Sequence, residues 1–138
     1  MREHKQLQVT LKKCKPFPRI SHMRKLEKQM NRALSNKTNW AGSNTTVRYS
    51  NETNCSHVYL HGHNIATYNH IIRGLKLSSC GYETVTTKSR LNAILFEVKT
   101  GCKVFQKNWN WFISNVNGMT KDFQNGMILL DESSLEIV

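Results

Sequence analysis

A chain of 138 residues with 38% apolar and 21% charged residues has the size of one domain and a globular composition, which argues against a disordered or low-complexity protein. No apolar run approaches the roughly 18 residues that a helix needs to span a bilayer, and the basic opening MREHKQLQVTLKKCKPFPRI has no continuous apolar stretch of the export type, so a cytoplasmic protein without membrane contact is expected. The net charge is +11, placed unevenly: residues 1–40 hold 11 Lys/Arg against 2 acids, whereas residues 41–138 hold 9 against 7.

Residues 1–22 read as a basic arm, and residues 23–138 as one α+β domain. In the arm, Leu7, Val9 and Leu11 alternate with Gln8, Thr10 and Lys12, which allows one short strand before Pro16 and Pro18 break the pattern. Ser21 is placed to cap a first helix that runs to about Asn36. Met23, Leu26, Met30, Ala33 and Leu34 recur at three- and four-residue steps and form its buried stripe. Arg24, Lys25, Lys28 and Arg32 lie off that stripe and form a basic face, which either contacts phosphate or is simply solvated.

The stretches TTVRYS, HVYLH, NIATYN and GLKLSS follow, short, β-branched or aromatic, and separated by turn formers. His61-Gly62-His63-Asn64 reads as a hairpin tip with Gly62 at positive φ. A second helix is expected over about 87–98, with Leu91, Ile94, Leu95 and Val98 buried. The strands KVFQK, WFISNV and GMILL complete the order, with turns at 107–110, Asn117-Gly118 and Asn125-Gly126. The pattern predicts a mainly antiparallel sheet of short strands and hairpins packed with two amphipathic helices.

Three stretches carry possible chemistry. Around the second helix start, Thr86 or Thr87 supplies a cap, while Lys88 and Arg90 oppose the helix dipole at a cost of about 0.3–1 kcal/mol each. Either these four residues and the free amides form an anion seat, or Glu83 neutralises the cations within the chain. His61 and His63 make an H-x-H, a zinc-site fragment that needs a third ligand and an orienting carboxylate. In KVFQKNWNWFI, one continuous strand would put Lys103, Phe105, Lys107, Trp109 and Trp111 on one face, the pattern of a single-strand nucleic-acid platform. A turn at 107–110 would instead leave Phe105, Trp111 and Phe112 as core or edge packing. Cys14, Cys55, Cys80 and Cys102 are scattered and read as thiols. The sequons at Asn36, Asn44, Asn51 and Asn54 read as turns. No nucleophile-elbow, zincin or phosphate-loop signature occurs, so neither enzyme chemistry nor a cofactor is expected.

The strings MRKLEKQMN, NTTVRY, VYLHGHNIA, TTKSRLNAIL, VFQK followed by WF, and FQNGM resemble, in that order, a group of small proteins of tailed bacteriophages, notably those of marine bacteria such as cyanophages. The resemblance covers about Met23 to Ile128 and leaves the arm outside it. It implies a phage origin and brings no catalytic or binding residues with it. Together with the charge, the expectation is a phage accessory protein in the host cytoplasm. Its role would be to bind DNA or RNA through phosphates with weak sequence preference, using Arg24, Lys25, Lys28, Arg32, Thr86, Thr87, Lys88 and Arg90. The alternatives are a module that docks on an acidic host or phage protein, or a minor virion component, and a zinc site at His61 and His63.

Overall fold

The structure, a computed structural model, describes residues 23–130. The basic arm, Ser21 and the acidic segment 131–138 lie outside the described residues. Within them the chain forms, in order, α1 (Lys25–Asn36), β1 (Trp40–Gly42), β2 (Thr45–Ser50), β3 (Cys55–Leu60), β4 (His63–Asn69), β5 (Gly74–Leu77), α2 (Val85–Glu97), β6 (Lys103–Lys107), β7 (Asn110–Ser114), β8 (Thr120–Asp122) and β9 (Met127–Leu130). It is an α+β arrangement in which every strand pairing is antiparallel.

The strands divide into two sheets. A meander supplies β1-β2-β3-β4-β5, and β9 closes it as the sixth strand by pairing with β5. Between β5 and β9 the chain makes α2 and a separate three-stranded sheet, β6-β7-β8. One core joins the parts: Met30 and Leu34 of α1, Val47, Val58, Ile65, Leu75 and Leu129 of the large sheet, Leu91, Ile94 and Leu95 of α2, and Val104, Trp111 and Ile113 of the small one are all buried. Helix α2 meets α1, β4 and β6. Its buried set therefore wraps wider than one stripe, taking in Thr87, Arg90 and Ala93 as well as the aliphatic residues.

Local chemistry explains where the elements start and stop. The second helix begins two residues before its predicted start, because Thr84, in an extended conformation, accepts the Thr87 N–H at 3.1 Å and so acts as the cap. Both helices end in the same motif. Lys37 takes φ 57° with Thr38 N–H bonded to the Ala33 carbonyl; Lys99 takes φ 57° with Thr100 N–H bonded to that of Leu95. Glycine is the usual residue at such a position. Lysine accepts the backbone cost there, and its charge faces the negative end of the helix dipole.

The hairpin expected at 61–64 forms, with His61 at φ 52° and Gly62 at φ 81°, the pair of positive values that a two-residue turn of matching twist requires. A bulge between Val58 and Tyr59 turns two consecutive residues, Ile65 and Ala66, into the core. Asn64 repairs the broken ladder by donating its Nδ2 to the carbonyls of Val58 (3.2 Å) and Ala66 (3.0 Å). On β6, an edge strand, Val104 would expose its N–H and C=O; Asn92 of α2 bonds both, at 2.7 and 2.9 Å.

On β1, an edge strand of the large sheet, Trp40 folds over Gly42, and a Cβ on that glycine would lie 2.4 Å from the indole ring. Because Trp40 also packs against the core, Gly42→Ala should destabilise the protein by about 1–3 kcal/mol. Thermal melting checks this; an unchanged midpoint would mean the indole swings away freely.

Candidate functional site

Helix α1 sorts its charges by face. Glu27, its one acid, is turned inward with 2% exposure, while Arg24, Lys25, Lys28 and Arg32 are all exposed. The outward surface of the helix is therefore cationic without a compensating carboxylate of its own. Arg24 occupies the cap position in an extended conformation and makes no side-chain cap bond. Lys25 and Lys28 thus surround amides at the positive end of the dipole, where cations lower helix stability and anions are favoured.

Glu27 is held by the residue that the sequence offered as part of an anion seat. Arg90 donates Nη1 to Glu27 Oε2 at 2.7 Å, Nε to Thr45 Oγ1 at 3.0 Å and Nη2 to Asn44 Oδ1 at 3.2 Å. Ser89 donates its hydroxyl to the same Glu27 oxygen at 2.6 Å. The Arg90–Glu27 pair is buried on both sides, 5% and 3% exposed by side chain, and ties together α1, α2 and the start of β2. Arg90 is thus inside the protein with its charge already matched. The partner is Glu27 and not the adjacent Glu83, which is exposed.

Thr87 is also buried, with its hydroxyl 3.0 Å from that of Thr84. Of the four residues expected at this helix start, Thr86 and Lys88 keep partial exposure. Thr86 lines a cavity of about 360 Å³ together with His61, His63 and Tyr82. His61 and His63 are exposed on either side of the turn, and the His63 ring lies against Tyr82 with centroids 4.7 Å apart. Among the described residues, no three His, Cys, Asp or Glu side chains converge as metal ligands.

A second cationic region, which sequence reasoning did not single out, lies at the other ends of the helices. Ser35, His70, Arg73, Glu97 and Lys99 line a cleft of about 280 Å³. Ser35 donates to Glu97 across it. His70 lies 2.8 Å from the Ser56 hydroxyl and packs edge-on against Tyr49 and Tyr68. Burial first, and the nearby Lys37 charge second, hold His70 below its ordinary value of 6.5.

The unfolded chain therefore binds a proton at His70 more readily than the native one. The stabilising effect of this group is present above about pH 6.5 and is lost as pH falls through the native value. A His70→Gln variant should flatten that part of the stability profile between neutral and mildly acidic pH, as measured by urea denaturation. An unchanged slope would contradict the assignment.

An α+β domain of two small antiparallel sheets and two helices, one of them presenting a bare cationic face, is the class of protein that the geometry defines. The chain belongs to the Kyanoviridae Gp96 protein family, a cyanophage family whose model matches residues 23–130. The match begins just before α1 and ends with β9, so it takes in both helices and all the strands described above. No curated protein and no solved structure matches the chain. Among the described residues, no helix is long and apolar enough to cross a membrane.

Proposed function

We propose that this phage protein is a non-enzymatic accessory factor of the host cytoplasm. In this reading it binds nucleic acid through phosphate contacts, with weak sequence preference. One observation carries the reading: Arg24, Lys25, Lys28 and Arg32 are exposed together on α1 while the helix's single acid is buried against Arg90. A solvated helix gains nothing from cations in its first turn, whereas a phosphate backbone gains from the charge and from the helix N-terminus together.

The overall charge supports it. The described residues hold fourteen Lys and Arg against five Asp and Glu, a net of +9, so approach of a polyanion is favoured at long range. Lys88 and Thr86 extend the contact in this proposal. Arg90 and Thr87 serve it indirectly, by fixing the two helices. Fluorescence anisotropy of labelled duplex DNA and of RNA at low ionic strength tests the proposal. Binding to several unrelated sequences with similar affinity is the expected result; no binding to either polymer would overturn it.

A further inference from the structure

The small sheet offers a second surface, of different character. The turn in this stretch falls at Asn108 and Trp109, so Trp111 faces inward at 4% exposure and leaves the row that a continuous strand would have made. Phe112 takes its place. Phe105 and Phe112 are register partners on β6 and β7, and their rings stack with centroids 5.6 Å apart at 28°. Neither belongs to the buried core, whose residues from this sheet, Val104, Trp111 and Ile113, point to the opposite face. The alternation of β6 puts Lys103 and Lys107 on the same face as Phe105, one on each side.

The turn beside this pair is unusual. Asn108 and Trp109 both have positive φ, 52° and 70°. The second position of such a turn normally takes glycine; here it carries a tryptophan that is 87% exposed. A bulky residue in the left-handed region costs free energy, and such strain collects at binding sites. Exposing the ring adds an unfavourable contact with water. The turn closes the β6–β7 hairpin, and glycine would close it as well, so the hairpin does not account for the exposed ring.

We infer that this face is a stacking platform for the bases of single-stranded nucleic acid. Trp109 and the Phe105–Phe112 pair take the bases, and Lys103 and Lys107 take the phosphates. Aromatic rings interleaved with cations on an open sheet are how such strands are held without base-specific hydrogen bonds. Charge decides the occupant and the path: the lysines line the β6 side, while Asp122, the register partner of Phe112 on β8, keeps phosphates from the other. An acidic peptide would meet the lysines equally well but would leave Trp109 without a flat partner. The inference rests on the phosphate-binding reading above and assigns its substrate class.

The test compares a labelled oligonucleotide of about 16 nucleotides, the upper site size of single-strand-binding folds, with its duplex. The full chain should bind the single strand more tightly and lose Trp109 emission on binding. Trp109→Gly and Phe105→Ala should each weaken single-strand binding on the order of ten-fold and leave duplex binding unchanged. Trp109→Gly should melt no lower than the parent, because glycine suits the turn, so its loss of binding cannot be attributed to unfolding. Equal affinities for strand and duplex with no effect of Trp109→Gly would overturn the platform and leave the phosphate reading intact. Absence of binding to either would overturn both. Trp109-dependent self-association in sedimentation, without single-strand binding, would replace the strand with a second copy of the chain.

Discussion

Replacing Arg90 with methionine lowers the stability of the protein by about 3–5 kcal/mol, the expected cost of leaving a buried charge without its partner. Glu27 would keep the Ser89 hydroxyl but lose the guanidinium, Thr45 would lose its Arg90 donor, and Asn44 Oδ1 would keep only the Thr45 hydroxyl. Arg90→Lys should recover part of the loss, since a lysine can reach one acceptor but cannot fill a three-way fork. The double variant Glu27→Leu with Arg90→Met should recover more than the sum of the single effects allows, because a matched apolar pair needs no hydrogen bonds. Urea denaturation of Arg90→Met, Arg90→Lys, Glu27→Leu and the double variant checks this order. If Arg90→Met were neutral, the pair would not be the tie between α1, α2 and β2.

The second large effect concerns binding. Changing Arg24, Lys25, Lys28 and Arg32 together to glutamine should abolish detectable duplex binding near physiological salt while the fold stays intact. All four side chains are exposed and make no ion pair among the described residues, so no salt bridge among those residues is lost. Removing Lys25 and Lys28 from the positive end of the helix should even raise stability, by about 0.3–1 kcal/mol each. A gain in melting temperature with a loss of affinity is the signature of residues placed for a ligand and not for the fold. Loss of both together would mean that these side chains brace the structure.

Much of the fold was legible because periodicity reports burial directly. The α1 stripe of Met30, Ala33 and Leu34, four of the meander's five strands (β2 to β5) and the hairpin at Gly62 follow from spacing and turn chemistry, and the α+β order follows from their sequence. Partners distant in the chain were not legible. Glu27 and Arg90 lie 63 positions apart, and nothing local distinguishes a cation that will be buried from one that will be solvated. Arg90 stands one helical step before Ile94, and a polar residue inside an otherwise buried arc is the one signal that could have marked it. The division into two sheets was hidden for a similar reason, since β9 pairs with β5 across the whole of α2 and the small sheet, and no local signal announces so distant a partner.

At the candidate site, the four cations of α1 were found from their position off the apolar stripe, and the structure leaves all four exposed. The Thr86–Arg90 stretch was harder, because an anion seat and a capped helix use the same residues. Thr84 decides for a cap by taking the Thr87 amide. The cleft at His70 draws on Ser35, Arg73 and Lys99 from separate parts of the chain, and only packing brings them together.

The most direct measurement is the salt dependence of duplex binding for the parent and for the four-glutamine variant. Each phosphate neutralised contributes about 0.9 to the slope of log affinity against log salt. If α1 supplies four such contacts, the parent slope should exceed that of the variant by about 3–4. Identical slopes, or a parent whose binding does not weaken with salt, would contradict the claim that this helix face meets a phosphate backbone.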